Sequence, residues 1–217
     1  MLSIGVLILP PVQLMDLSPI ELFSMMSKDY IRANNLPQTL IDAAIPAKDI
    51  KIHYISSIGP NSTAGTIPNL QISITAAIDD PKVAPGKLDI LFIPGTDPNQ
   101  RPEEAVLEYV RSQEQSGATI LAFCTGVFVL AYSGVLDNKD ATGPRSMLDH
   151  MRTSFPKVRW QEKRYMNNDK IWTSGQITNG VDMAAEYISQ QWPGQLSTAV
   201  INLADIVIRP AEYSCLI

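Results

Sequence analysis

Three short apolar runs constrain this chain more than any other feature. Residues 3–9, 88–93 and 118–123 are nearly continuous in hydrophobic side chains, where a half-exposed strand would alternate. Each stops abruptly, at Pro10-Pro11, at Pro94-Gly95-Thr96 and at Cys124-Thr125-Gly126. Between and beyond them the pattern turns helical, over residues 20–26, 101–116, 126–131, 146–152, 178–191 and 195–206. Pro102 falls near the start of the second of these, and Thr178 is the expected N-cap of the fifth. Residues 50–55, 141–142, 158–161 and 170–174 read as further strands, and residues 70–75 as a hairpin or edge ribbon. The polar stretch 28–49, with Asn34-Asn35, Pro37 and Pro46, reads as a loop or short insertion. Strands that alternate with helices, without repeat or linker, predict an α/β fold. The expected architecture is a three-layer sandwich, flavodoxin-like, its mostly parallel sheet covered by helices on both faces. At 217 residues and 45% hydrophobic content, one domain over residues 1–217 has enough apolar surface for its core.

Charge narrows the partners. A net charge of −5 and no basic cluster speak against nucleic acid. Two cysteines, Cys124 and Cys215, form no disulfide framework, which favours a reducing compartment. The apolar residues 2–12 lack a basic leader and a small-residue cleavage site, so they read as a strand and not a signal peptide. No apolar stretch has membrane-spanning length, and Cys215-Leu216-Ile217 is one residue short of a prenylation box. The expectation is a cytoplasmic protein without a membrane partner.

Ligands of such folds bind at the carboxyl ends of the strands. Asp16, Gly95 and Cys124 all follow strand ends. Cys124 falls at a strand-to-helix turn made tight by Thr125-Gly126, the geometry of a nucleophile elbow. A helix N-terminus behind the sulfur is expected to favour the thiolate, the reactive form. A small buried core thiol is the plainer reading of a lone cysteine. Asp16 or Glu21 would supply an acid/base carboxylate, against an N-cap role for the first and a helix-face role for the second. The N–H groups of Gly95 and Thr125 would stabilise developing negative charge, with Thr96 and Gly126 beside them. The two histidines, His53 within a strand and His150 on a short helix, give no Cys–His dyad. No metal-ligand spacing and no phosphate loop occur, so neither metal nor cofactor is expected, and Asp182 reads as structural.

Several longer motifs resemble one family. Ile4-Gly5-Val6-Leu7-Ile8-Leu9-Pro10 followed by Met15-Asp16-Leu17-Ser18-Pro19-Ile20-Glu21 is similar to the opening strand and acidic helix entry of the ThiJ/PfpI family. Asp89-Ile90-Leu91-Phe92-Ile93-Pro94-Gly95, Cys124-Thr125-Gly126-Val127-Phe128, and Trp172-Thr173-Ser174-Gly175-Gln176 resemble its oxyanion strand, elbow and late loop. The family lies within the class I glutamine amidotransferase-like superfamily. Cys-Thr-Gly with Asp16 resembles the isocyanide hydratase branch. That resemblance implies a cofactor-independent hydratase or lyase, a homodimer, acting on a small electrophilic molecule. Cys124 would be the nucleophile, Asp16 the proton carrier, and Thr125 would help orient water. Gly143-Pro144-Arg145 stands where that branch has a Thr-His-Trp-like segment, so the pocket wall differs. Arg145 would receive an anionic or carbonyl group, or is a plain surface charge. A glyoxalase-like, isomerase or dehydratase reaction, and a redox-sensing role for Cys124, remain open alternatives. Similar features occur in sensor domains of AraC-type regulators, whose helix-turn-helix region is not expected here.

Overall fold

The computed structural model describes residues 1–213. Strand β1 (Leu2–Leu7) leads through a 3-10 turn (Leu14–Leu17) into helices α1 (Pro19–Met25), α2 (Lys28–Ala33) and α3 (Gln38–Ala43). Strand β2 (Ile50–Ser56), the hairpin of β3 (Thr63–Gly65) and β4 (Gln71–Ser73), β5 (Ala76–Ala77) and β6 (Ile90–Ile93) follow. Then come α4 (Glu104–Gln115), β7 (Thr119–Ala122), α5 (Val127–Ser133), β8 (Asp140–Ala141), α6 (Leu148–Ser154) and β9 (Arg159–Trp160). The order closes with β10 (Tyr165–Asn168), β11 (Ile171–Ser174), α7 (Ile177–Gln191) and α8 (Gln195–Leu203).

Seven strands form one sheet in the order β10-β11-β7-β6-β1-β2-β5. Within this sheet, among the described residues, β10 pairs with β11 antiparallel and the other pairings are parallel. The period-2 alternation of strand side chains sorts the core into two layers. Leu2, Ile4 and Val6 of β1, Ile90 and Phe92 of β6, and Leu121 of β7 pack with α1, α7 and α8. Leu91 and Ile93 of β6, with Ile120 and Ala122 of β7, pack with α4, α5 and α6. Strands buried on both faces need continuous apolar sequence, which is why these runs do not alternate. Phe92 and Phe123 stack with centroids 3.9 Å apart. A Cβ on Gly180 would lie 2.5 Å from the Phe123 ring, so glycine there lets α7 settle onto the sheet.

The three-layer expectation holds, with local corrections. Residues 28–49 carry two six-residue helices instead of a loop. The Ser27 hydroxyl caps α2 by accepting from the Tyr30 N–H at 3.2 Å, and Ile31 and Leu40 plug these helices into the core. Helices this short show too few turns for their period to be read. Helix α7 begins at Ile177 after Gln176, so Thr178 is not its cap; its hydroxyl accepts from Arg209 at 3.0 Å instead. Asp182 is structural, as expected: its carboxylate takes two bonds from the Arg209 guanidinium, at 2.9 and 2.6 Å.

From β1 the chain moves to β2 on one side and later returns to β6 on the other. The carboxyl ends of β1 and β6 therefore flank the switch point where such sheets place their ligands. Asp16, Gly95 and Cys124 follow β1, β6 and the adjacent β7. Among the described residues, no helix is long and apolar enough to cross a membrane.

Candidate active site

Cys124 opens a 3-10 turn, Cys124–Gly126, that joins β7 to α5. Its φ is +48°, in the left-handed region that non-glycine residues rarely enter. Such a backbone costs on the order of 1–3 kcal/mol and persists where surrounding structure imposes it. Gly126 is part of that imposition. Its N–H closes the turn on the Phe123 carbonyl at 2.7 Å, and a Cβ there would meet the carbonyl oxygens of Ile93 and Pro94. Gly126 thus shapes the elbow and has no N–H free for a substrate.

Asp16 lies in the 3-10 turn after β1 and is fully buried. Its Oδ2 accepts the Gly95 N–H at 2.9 Å, while Oδ1 is buried without a partner. The N-cap alternative fails, because the carboxylate serves Gly95 after β6 and Ser18 occupies the cap of α1. Gly95 is the point where the site converges. A Cβ on it would collide with the Asp16 carboxylate and stand 3.0 Å from the Thr125 hydroxyl oxygen. Its expected oxyanion role is corrected by the same contact, since its N–H is committed to Asp16. The Thr125 hydroxyl donates to the Thr96 carbonyl at 2.6 Å, and the Thr96 hydroxyl donates to that of Leu9 at 2.7 Å. These two threonines lock the ends of β1, β6 and β7 together.

Burial pushes the Asp16 carboxyl up to about 7, against the opposing pull of the Gly95 N–H. The half-buried Cys124 thiol is pushed up to about 11, first by desolvation and then by the neighbouring Asp16 charge. Backbone N–H groups of Thr125 and Ile177, and the Thr125 side chain, pull it down without prevailing. The expectation of an acidified thiol is therefore corrected. Seven-residue α5 and the N–H groups around the sulfur are outweighed by burial and an adjacent carboxylate. The pair holds its proton on sulfur while Asp16 ionises near neutrality.

Glu21 is not brought to this place. It is exposed on α1, in a separate depression with Ser18, Leu22 and Leu203. Arg145 is occupied: its Nε pairs with Glu162 at 2.6 Å and its guanidinium lies 4.9 Å from the Tyr213 ring centroid. Its neighbours Pro144, Ser146 and Met147 line the cleft in front of Cys124, but Arg145 does not. His53, on β2, and His150, on α6, also lie outside that lining. Cys215 lies outside the described residues. Among those described, no group of three or more His, Cys, Asp or Glu is placed to hold a metal ion.

The cleft measures about 530 Å³. Pro11, Ile67, Pro98, Pro144, Met147 and Ile177 give it apolar walls, and among the described residues Asp97 is its only charged side chain. Thr96 and Thr125 line it with Cys124. Sequence reading missed Gln13, Gln176 and the Ile177 N–H. The first two carry no distinctive spacing, and a backbone donor has no signature in side-chain identity.

A cysteine at a strand-to-helix elbow beside a buried carboxylate, on a flavodoxin-like sheet, defines the class of protein. The chain belongs to the DJ-1/PfpI family, whose model matches residues 35–190. Among characterised proteins it is 28% identical to the isonitrile hydratase of Pseudomonas putida, over 98% of this chain and 79% of that one. It is also 28% identical to the HTH-type transcriptional regulator CdhR of Pseudomonas aeruginosa, over 52% of this chain but only 34% of the regulator. Among solved structures, DJ-1beta of Drosophila melanogaster superposes with a TM-score of 0.71 at 18% identity, covering 95% of this chain and all of that one. An AraC family transcriptional regulator from Pseudomonas putida superposes at 0.73 with 11% identity, covering 94% of this chain and all of that one. Similarity at that level establishes the shared fold.

Proposed function

We propose that this protein is a cofactor-independent hydratase that converts an isonitrile to an N-substituted formamide. The observation that carries the reading is the buried, unpartnered Oδ1 of Asp16, on a carboxyl fixed through Oδ2 and close enough to raise the Cys124 thiol. A desolvated carboxylate with one free oxygen is poised to accept a proton and return it.

The Cys124 sulfur adds to the terminal carbon of R–N≡C while its proton passes to Asp16. Asp16 delivers that proton to the same carbon, giving the thioimidate R–N=CH–S–Cys124. Water then adds across the C=N bond, its oxygen to carbon and a proton to nitrogen, to give R–NH–CH(OH)–S–Cys124. The C–S bond breaks, the hydroxyl proton returns to sulfur through Asp16, and R–NH–CHO leaves. A group titrating near 7 can act as base and then as acid at neutral pH, help worth roughly 10²–10⁴-fold. The Thr125 and Ile177 N–H groups steady the charge on sulfur during attack and departure. Thr125 orients the water, as its family resemblance implies.

The cleft walls favour a neutral alkyl or aryl R group. A glyoxalase-like reading would draw on Arg145 for an anionic substrate, and Arg145 already has Glu162. A redox-sensing reading needs a readily ionised thiol, which burial and Asp16 oppose. The reading includes a homodimer acting on a small molecule in the cytoplasm. Formamide production from a simple alkyl and an aryl isonitrile tests it, with wild type beside Cys124→Ala and Asp16→Asn. Turnover confined to wild type is expected. Full turnover in Cys124→Ala, or none in wild type, overturns it.

A further inference from the structure

One wall of the Cys124 cleft is made by two loops, residues 143–147 and 175–176, with the first residue of α7, contributing Pro144, Ser146, Met147, Gln176 and Ile177. The carbonyl of Gly143 and the Tyr213 hydroxyl both crowd Gly175, at 3.2 and 3.3 Å from where its Cβ would be. Tyr213 therefore sits where the two loops meet. Its hydroxyl accepts from Asn179 Nδ2 at 3.0 Å and donates to Gln176 Oε1 at 3.3 Å. Ile177, which lines the cleft together with Cys124, lies between those two partners in sequence. The ring is held too, with the Arg145 guanidinium 4.9 Å and the Arg164 guanidinium 4.7 Å from its centroid. Arg145 belongs to one loop, while the Arg164 carbonyl accepts the Gly175 N–H of the other at 2.7 Å.

We propose that Tyr213 is a positioning residue of the active site, its hydroxyl bridging Gln176 and Asn179 so that the intervening backbone at Ile177 keeps its place beside Cys124 in the cleft wall. The proposal rests on Cys124 being the reacting group. Tyrosine suits the task because one hydroxyl both donates and accepts, which phenylalanine cannot do. The hydroxyl is not what holds the C-terminal segment in place. Arg209 is clamped by Asp182, and the Ala211 carbonyl accepts the Arg164 N–H at 2.7 Å. Tyr213→Phe thus keeps the ring between its cations and removes only the bridge.

The test is the pH profile of Cys124 alkylation by iodoacetamide in the intact protein, wild type against Tyr213→Phe, read on the Cys124 peptide so that Cys215 is scored separately. The expected result is an upward displacement of the profile. At pH 8 the rate should fall about fivefold, the equivalent of one weakened hydrogen bond to sulfur, with the melting temperature nearly unchanged. An unchanged Cys124 profile overturns the proposal, as does a slower rate that only accompanies a large loss of thermal stability. Because alkylation needs no isonitrile, wild type that fails to hydrate isonitriles would overturn the proposed function and leave this question decidable.

Discussion

The Gly95 N–H donates a 2.9 Å hydrogen bond to Oδ2 of Asp16, tying the loop after β1 to the end of β6. One bond both orients the carboxyl and leaves its other oxygen buried and free. The proposed chemistry rests on that asymmetry, and so do the predictions below.

In the proposed mechanism Asp16 must be ionised to take the proton from Cys124. Since burial raises its carboxyl to about 7, kcat/KM for isonitrile hydration should climb with pH and level off above about 7. A flat profile between pH 5 and 8 in wild type would remove Asp16 from that role.

The same burial has a thermodynamic consequence with the opposite sign to an ion-paired carboxylate. The folded-state value lies above the unfolded 3.8, so the native protein prefers the neutral acid. The associated stability is present in full below about 4 and lost as pH rises through about 7, on the order of 4 kcal/mol over the span. Asp16→Asn, which keeps an acceptor for Gly95, should melt above wild type at pH 8 and lose that advantage at pH 4. Equal melting temperatures at pH 8 would contradict the desolvation.

Gly95→Ala places a methyl group against the Asp16 carboxylate and the Thr125 hydroxyl. Activity should drop at least as far as in Asp16→Asn. Stability should fall by about 1–3 kcal/mol, the usual cost of overpacking. Retained kcat in this variant would mean that the Asp16–Gly95 contact is dispensable.

Phe92 is fully buried and stacks on Phe123, the residue before Cys124. Phe92→Ala should cost about 3–5 kcal/mol in denaturant unfolding. A loss under 1 kcal/mol would show that α7 closes over the cavity.

The strands, their burial on both faces and the elbow were legible because each is a local pattern. An apolar run of strand length, a small-residue turn and a helical period are written in consecutive residues, and hydrophobic burial acts on them directly. Asp16 and Cys124 were legible as candidates for the same reason, each standing just beyond a strand. Helices α2 and α3 were not, since six residues display no period.

Which carboxylate meets the thiol, however, was decided by topology. Asp16 and Glu21 are five positions apart in sequence, yet the 3-10 turn buries one against Gly95 while α1 turns the other to solvent. The acidity of Cys124 was decided there too. The sequence by itself determined a thiol at a helix entry, which argues for a low value. Only the tertiary structure brought a desolvated carboxyl from residue 16 beside residue 124, and desolvation with like charge outweighs a few backbone dipoles. Electrostatic environments are sums over neighbours distant in sequence, so they come into being only when the chain has folded.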